Sequence, residues 1–242
     1  MCTVTFSPRK HGYALAMNRD EQLTRAAGLP STESVINGRR VLAPSEPSGG
    51  TWISVNDSGV TFALINWYSI NARIDENPVS RGKVVRALSP CNTAALASQS
   101  LELLPLKKMN PFRLIGVFPN DANILEWRWD LNKLIHQKKI WQIQQWVSSG
   151  FDEPEAQRMR GITFQEALRQ KSVGSLDWLR RLHRSHLPTT GPFSTCMHRS
   201  DAATVSYTEI SVSWKKSVMG YFDAAPCKCT RGQFQKCSLK RL

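Results

Sequence analysis

Residues 1–21 of the chain read MCTVTFSPRKHGYALAMNRDE. Residues 3–6 are β-branched and aromatic, residues 8–12 have the composition of a turn, and residues 13–17 are largely apolar again. Two such runs around a short turn predict a β-hairpin. A turn centred near residue 10 puts Cys2 roughly opposite Asn18.

A second hairpin is predicted further along the chain. Residues 52–55 and 60–65 are strand-like, the turn between them is Asn56-Asp57-Ser58-Gly59, and the returning strand ends at Asn66. The pair Gly49-Gly50 before this hairpin indicates a close approach between two backbones.

The remaining elements alternate between helical and extended patterns. Residues 80–104 predict two helices interrupted at Ser89-Pro90, and residues 164–185 predict a further helical block. Strands are predicted at 114–118, 124–129, 134–146, 203–212 and 217–222. This order, without an internal repeat, predicts an α+β domain in which helices cover sheets. We expect one domain over residues 1–222 and a basic, cysteine-containing tail over residues 223–242, outside the core.

Composition excludes disorder as the main state, because 41% of the 242 residues are hydrophobic and 21% are charged. The net charge of +13 includes five basic and no acidic residues in 227–242. A solvated basic surface is the favoured interpretation, with an anionic ligand or a membrane surface as the alternative. No nucleic-acid recognition motif is present, so specific nucleic-acid binding is not expected.

The sequence contains no apolar run of the roughly 18 to 20 residues that a membrane-spanning helix needs, and residues 1–8 do not resemble a signal peptide. We therefore expect a cytoplasmic protein whose six cysteines are reduced.

Cys2 follows the initiator methionine directly and is small enough for Met1 to be removed. Its thiol would then lie beside a free α-amine, which titrates near about 7.7–8.0 and can act as a base. One residue would thus supply both nucleophile and base. A cysteine without a catalytic role is the alternative for this position taken alone.

The predicted hairpin brings Asn18-Arg19-Asp20-Glu21 alongside Cys2. A carboxylate there can hold the α-ammonium, and an arginine can lower the thiol pKa or bind an anionic substrate group. Alternation along the strand puts Asn18 and Asp20 on one side and Arg19 and Glu21 on the other. A solvated turn at the strand end is the alternative reading of these four residues.

Five ordered motifs within the first 90 residues carry a family resemblance. They are Met1-Cys2-Thr3, Asn18-Arg19-Asp20-Glu21, Gly49-Gly50-Thr51-Trp52-Ile53, Ala63-Leu64-Ile65-Asn66 and Ser80-Arg81-Gly82. The sequence resembles the NRDE family, which includes the transport and Golgi organisation protein 2 homologues. That family resembles the N-terminal nucleophile hydrolases, so the resemblance implies a four-layer αββα sandwich.

Within this wider group, the choloylglycine hydrolases and penicillin V acylases offer a closer guide to the roles of individual residues. By that resemblance Cys2 is the nucleophile, Asp20 positions the α-amine, and Asn66 donates to the oxyanion, with Asn18 and Arg19 as further candidate catalytic residues. Those hydrolases have an arginine just before the asparagine, where this chain has Met17. The arginine here lies between Asn18 and Asp20 instead.

Two groups of potential metal ligands lie in the second half of the chain. His183, His186, Cys196 and His198 are suitable ligand types, but their spacing matches no standard zinc site. Hydrogen bonding in a pocket wall is favoured for them, with metal binding or ordinary surface as alternatives. Cys227, Cys229 and Cys237 are one short of a Cys₄ site, and a solvated tail is favoured.

The candidate substrate-binding residues come from the same region and from the second hairpin. Arg199 is a candidate for holding a substrate carboxylate, next to His198. Trp67 and Tyr68, just after Asn66, either line an apolar binding site or pack in the core.

The sequence thus predicts an N-terminal-cysteine hydrolase that cleaves a non-peptide amide or related acyl bond of a small, optionally anionic molecule. The resemblance implies no metal and no organic cofactor. A non-catalytic carrier or chaperone for haem or an acyl metabolite, using the same pocket, is the alternative.

Overall fold

A computed structural model describes residues 2–229 and 233–242 of the chain. Helices account for four of its elements and strands for thirteen, in an α+β arrangement. The strands in chain order are β1 (Cys2–Arg9), β2 (Gly12–Gln22), β3 (Leu29–Ile36), β4 (Arg39–Ser45), β5 (Ile53–Asn56), β6 (Thr61–Asn66), β7 (Phe112–Phe118), β8 (Asn123–Trp129), β9 (Leu134–Lys139), β10 (Gln144–Ser148), β11 (Ala202–Val212), β12 (Lys216–Phe222) and β13 (Gln235–Lys240). The helices are α1 (Gly82–Leu88), α2 (Ala94–Glu102), α3 (Glu153–Ala167) and α4 (Leu176–Arg184).

The strands form two antiparallel sheets. The six-stranded sheet has the order β10-β1-β2-β11-β12-β13, and the seven-stranded sheet has the order β3-β4-β5-β6-β7-β8-β9. The first hairpin therefore lies inside the six-stranded sheet, with β10 on one side of it and β11 on the other. The second hairpin lies inside the seven-stranded sheet, between β4 and β7.

Three apolar clusters hold these layers together. The largest lies between the sheets and takes side chains from both of them. A second joins the seven-stranded sheet to α1 and α2, and a third joins the six-stranded sheet to α3 and α4. Both faces of each sheet are therefore covered, which explains why strand residues of either parity are buried.

Strands β1 and β2 show how alternation serves this arrangement. Val4, Phe6, Leu15 and Met17 point into the core between the sheets. On the other face of β2, Ala14 and Ala16 pack under α3 and α4, where small side chains allow the helices to approach closely.

The structure confirms most of the predicted elements. Both hairpins, the two helices within residues 80–104, and the strands near 114–118, 124–129, 203–212 and 217–222 are present. The side chain of Thr93 caps the second of those helices by accepting a hydrogen bond from the backbone N–H of Leu96.

Three regions differ from the prediction. Residues 134–146 form two strands, β9 and β10, which belong to different sheets. The helical block at 164–185 is two helices, and the first of them begins at residue 153, after its N-cap Asp152. Strands β3 and β4 were not predicted, because their exposed and charged residues hide the alternation of an edge hairpin.

The end of the chain also differs from the expected tail. Strand β13 pairs with β12 along six residues and forms an edge of the six-stranded sheet. Leu239 lies in the core between the sheets, fully buried, although charged residues surround it in sequence. A single apolar residue in a basic segment is a weak sequence signal, and the sheet edge supplies the missing context.

The described part of the chain contains no helix with the length and apolar character needed to cross a bilayer.

The burial of Leu239 gives the first prediction. Leu239→Ala should lower the free energy of unfolding by roughly 2–5 kcal/mol, because it leaves a cavity in the core. Urea denaturation would measure this, with Leu242→Ala as the control, since Leu242 is 84% exposed and Leu239 is 0% exposed. Equal stability of the two variants would support the expected tail instead.

Candidate active site

Cys2 is the first residue of β1 and lies between two neighbouring strands. It pairs with Arg19 of β2 on one side and with Ser148 of β10 on the other. Its backbone N–H donates to the Ser148 hydroxyl at 3.1 Å. The residue is only 7% exposed, so it is buried at this position.

The register of the first hairpin differs by one residue from the sequence prediction. Lys10 and His11 form the turn and Arg9 pairs with Gly12, so Cys2 lies opposite Arg19 and Thr3 lies opposite Asn18. A shift of one residue in a strand moves every side chain to the other face. Arg19 therefore shares a face with Cys2, whereas Asn18 points away from it.

Arg19 is held tightly beside Cys2. Its guanidinium lies 4.4 Å from the ring centroid of Trp52 and forms ion pairs with Glu46 at 3.2 Å and Glu21 at 3.4 Å. Arg25 forms ion pairs with the same two carboxylates. The charge of Arg19 is therefore largely neutralised by its own surroundings.

A cavity of about 200 Å³, here called the Cys2 cavity, opens beside the sulfur. Its lining includes Cys2, Arg19, Trp52, Asn66 and Arg81. The two sheets and the start of α1 thus each contribute a polar group to one small space.

Asn66 ends β6, as the second hairpin predicts, and lines the Cys2 cavity. Its side-chain Nδ2 donates to the hydroxyl of Tyr68 at 2.7 Å. The ring of Tyr68 rests on Gly150, where an added Cβ would lie 3.0 Å from the ring. The amide of Asn66 is thereby fixed in orientation.

Arg81 reaches the cavity because two glycines allow their backbones to touch. A Cβ on Gly82 would lie 3.0 Å from Gly50 Cα, and the N–H of Thr51 donates to the carbonyl of Gly82 at 3.1 Å. This contact confirms the close backbone approach predicted at Gly49-Gly50. In the motif Ser80-Arg81-Gly82, the glycine allows this backbone contact and thereby places Arg81 at the cavity.

Arg81 differs from Arg19 in its electrostatic surroundings. Its guanidinium donates to the carbonyl of Pro111 at 3.1 Å, and burial lowers its pKa. Within residues 2–229 and 233–242 no carboxylate forms an ion pair with it. A half-buried cation without an acidic partner is suited to bind an anionic group of a ligand.

Asp20 directly follows Arg19 in β2, and its carboxylate lies on the helix side of the six-stranded sheet. It accepts from the Thr204 hydroxyl at 2.6 Å and forms an ion pair with Arg160 of α3 at 3.1 Å. Both members of this pair are fully buried. Arg160 also donates to the hydroxyl of Thr3 at 2.7 Å, so it ties α3 to both strands of the first hairpin.

Asn18 and His183 form a second buried contact on this side. His183 Nδ1 lies 3.0 Å from Asn18 Oδ1, and its Nε2 lies 3.0 Å from the hydroxyl of Thr5. Asn18 Nδ2 donates to the carbonyls of His183 and Thr195. Asn18 therefore fixes α4 and the loop before β11 to the sheet and does not face the Cys2 cavity.

The electrostatics of Cys2 combine opposing effects. Burial raises the pKa of its thiol, and the Asp20 carboxylate acts in the same direction. The Arg19 guanidinium and a hydrogen bond from the backbone N–H of Asp20 act in the other direction, but burial is the stronger effect on the pKa. The sulfur is therefore held as a thiol and needs a base to become a nucleophile.

The predicted substrate-binding residues lie elsewhere. The ring of Trp67 lies under the Arg128 guanidinium, and the hydroxyl of Tyr68 accepts from Asn66. Arg199 is paired with Asp201 at 2.8 Å and lies over the ring of Phe151. The ring of His198 faces His186. None of these four residues lines the Cys2 cavity.

Sequence reasoning missed three residues of this region: Arg81, Ser148 and Arg160. Arg81 belongs to the motif Ser80-Arg81-Gly82, but the sequence alone assigned it no role. Ser148 and Arg160 lie about 150 residues from Cys2 in sequence, and no local pattern connects them to it.

Comparisons with known proteins identify the family and the fold. A sequence model of the transport and Golgi organisation 2 family matches residues 1–150. The chain belongs to that family. The match covers both hairpins and the segments that carry Cys2, Arg19, Asn66 and Arg81. No curated protein matches the chain in sequence.

Two enzymes of solved structure share the fold of this transport and Golgi organisation 2 family member. The penicillin V acylase from Agrobacterium tumefaciens aligns with a TM-score of 0.52 and 11% identity, over 93% of this chain and 83% of that one. The C2A mutant of conjugated bile acid hydrolase from Clostridium perfringens aligns with a TM-score of 0.56 and 9% identity, over 99% and 92%. Such low identities establish a similar fold alone.

The buried ion pair beneath Cys2 gives a second prediction. Arg160→Met should lower the free energy of unfolding by roughly 3–5 kcal/mol, because it leaves the Asp20 carboxylate buried without its cation. Arg158→Met is the matched control, since Arg158 pairs with Glu155 on the exposed side of the same helix. Its cost should stay below about 1 kcal/mol. If urea denaturation shows similar losses of stability in the two variants, the buried ion pair between Arg160 and Asp20 does not stabilise the fold as assigned.

His183 gives a third prediction, concerning pH. Burial, with a smaller contribution from Arg160, lowers the pKa of His183 to about 3 from 6.5. Between these pH values the unfolded chain binds a proton that the folded chain does not, so stability falls as the pH falls from 6.5 toward 3. The slope should reach about 1.4 kcal/mol per pH unit.

Urea denaturation across this pH range would measure the slope. His183→Gln should remove this contribution, whereas His11→Gln should leave the slope unchanged, because His11 is exposed. A His183→Gln variant with the slope of the unmodified protein would show that another group causes the pH dependence.

Proposed function

We propose that this protein is an N-terminal-cysteine hydrolase that cleaves the C–N bond of a small amide carrying an anionic group. The observation that carries the proposal is the Cys2 cavity, where Cys2, Asn66 and Arg81 line one space. The fold shared with a penicillin V acylase and a conjugated bile acid hydrolase supports a hydrolytic reaction. We also interpret the three apolar clusters as the layers of an αββα sandwich.

Activation of Cys2 requires removal of Met1, a residue that lies outside the described part of the chain. Removal converts the Cys2 backbone nitrogen into an α-amine with a pKa near about 7.7–8.0. In the structure this nitrogen is 3.1 Å from the Ser148 hydroxyl. Asp20 directly follows the pairing partner of Cys2 and is one of the residues that line the cavity. We assign its carboxylate to hold the α-ammonium in addition to its ion pair with Arg160.

The reaction then proceeds in two balanced steps. The α-amine takes the thiol proton, the sulfur attacks the amide carbon, and the C–N bond breaks as the α-ammonium returns the proton to the leaving nitrogen. The product of this step is a thioester on Cys2 and a free amine. Water, deprotonated by the α-amine, attacks the thioester and releases the carboxylic acid and the thiol.

Asn66 is the proposed oxyanion donor. An asparagine amide has two N–H donors, and one of them is used by Tyr68. The second is available to the oxygen of the tetrahedral intermediate, where such a donor contributes roughly 3–4 kcal/mol.

The size and charge of the cavity narrow the substrate class. Its volume of about 200 Å³ lies below the roughly 300–1,000 Å³ of pockets that hold drug-sized ligands. This favours a compact acyl substrate over haem. Arg19 and Arg25 have acidic partners, so Arg81 is the residue proposed to bind the anionic group.

Intact-mass analysis before and after treatment with a small thiol-directed acylating probe tests the nucleophile. The expected result is loss of Met1 and a single adduct that is absent from Cys2→Ala. Cys91→Ser is the matched control, because Cys91 is a buried cysteine remote from the cavity. A retained Met1, or an adduct that persists in Cys2→Ala, would contradict the hydrolase and favour a carrier.

A panel of N-acyl compounds, in pairs with and without a carboxylate, tests the substrate class. Arg81→Gln should raise KM about tenfold or more for the carboxylates, because a charged hydrogen bond is lost, and should leave the neutral partners unchanged. Arg86→Gln, on the exposed side of the adjoining helix α1, should change neither. Equal effects on both members of each pair would contradict the role of Arg81.

A further inference from the structure

Four potential metal ligands meet on the helix side of the six-stranded sheet, away from the Cys2 cavity. They are His186 just after α4, Cys196 and His198 in the loop before β11, and Cys227 in the turn after β12. Their ligand atoms all lie within 4.8 Å of one another. Here this group is called the His₂Cys₂ cluster.

We propose that the His₂Cys₂ cluster binds one Zn²⁺ ion. Two imidazoles and two thiolates are a common ligand set of four-coordinate zinc in proteins. All four positions are filled by protein side chains, so the site is closed to water and substrate, and its role is structural.

The distances within the cluster agree with a tetrahedral ion. Zn–N bonds of about 2.0–2.1 Å and Zn–S bonds of about 2.3 Å separate two nitrogens by about 3.3 Å and a nitrogen from a sulfur by about 3.6 Å. In the structure, Nε2 of His186 and Nε2 of His198 are 3.2 Å apart. Nε2 of His198 lies 3.5 Å from the sulfur of Cys196 and 3.5 Å from that of Cys227.

Hydrogen bonding alone does not account for this arrangement. Nε2 of a neutral histidine offers either one proton or one lone pair. Nε2 of His198 nevertheless faces three polar atoms at 3.2 to 3.5 Å. Three polar atoms converging on one nitrogen are explained by a shared ion at the centre.

The cluster separates residues that the sequence had grouped. His183 is bound to Asn18 and Thr5 and is not part of it. Cys237 donates to the carbonyl of Ser31 instead, while Cys227 joins the histidines from 29 residues further along the chain than His198. The ligand set therefore comes from two sequence regions that looked incomplete alone.

The position of the cluster indicates that the ion stabilises the loop between His186 and His198. The loop between His186 and His198 contains Thr195, whose carbonyl accepts from Asn18, and Pro192, whose carbonyl accepts from Arg160. An ion bound to both ends of this loop and to Cys227 holds it against the first hairpin. The loop in turn keeps Arg160 beside Asp20.

Metal analysis of the full chain, expressed without a histidine tag in zinc-supplemented medium, tests the proposal. The expected result is one zinc per chain after gel filtration in the presence of a chelator. Replacement by Co²⁺ should give the absorption bands of a tetrahedral cobalt–thiolate site. Zinc that is lost during gel filtration, together with no such cobalt spectrum in folded protein, would overturn the proposal as adventitious binding.

Cysteine variants test the ligand set. Cys227→Ser should lose the zinc, and Cys229→Ser and Cys237→Ser should keep it, although all three cysteines lie in the same basic segment. Chelation at elevated temperature should lower the Tm of the unmodified protein but not that of Cys227→Ser. Zinc retained by Cys227→Ser, or lost equally from Cys229→Ser, would overturn the assignment.

The unmodified protein also tests the zinc site by itself. A Cys196–Cys227 disulfide in freshly purified, metal-free protein, detected by peptide mass mapping, would replace the zinc site with a redox pair. If Cys227→Ser does not fold, the zinc content and cobalt spectrum of the unmodified chain still support or reject the site.

Discussion

The pairing of Cys2 with Arg19 across the first hairpin is the constraint on which the rest of the site depends. The two-residue turn sets this register, and the alternation of a strand then sorts the side chains of both strands between two faces. Cys2 and Arg19 face the core between the sheets and the Cys2 cavity. Asn18 and Asp20 face the helices. A different register would exchange the two sets and separate the sulfur from its neighbours.

The helix-facing side acts as a rigid support for the cavity side. Arg160, buried beside Asp20, and His183, buried beside Asn18, connect α3 and α4 to β2 through charged and neutral hydrogen bonds. Burial makes these contacts costly to break, because each group would lose its partner without gaining water. The ladder that presents Cys2 is therefore fixed from behind by groups that never contact a ligand.

The His₂Cys₂ cluster and the Cys2 cavity lie on opposite sides of the same sheet, and the loop between His186 and His198 connects the two regions. The cysteines on the two sides have different surroundings. The sulfur of Cys2 lines an open cavity, whereas the sulfurs of Cys196 and Cys227 face two imidazoles. One chain can thus hold six reduced cysteines with different chemistry, because their surroundings differ.

The sequence by itself determined the two hairpins, most strands, the helices near residues 80–104, and the positions of Cys2 and Asn66 at strand ends. These follow from alternation and turn residues, which act over a few neighbours. It did not determine the one-residue register, the strand β13, or the partners Arg160, Arg81 and Cys227. Those depend on segments that meet only after the sheets pack, and tertiary contacts leave no local pattern in the sequence. The position of Cys2 at the start of the first strand was therefore readable from the chain, and its surroundings were decided by the fold.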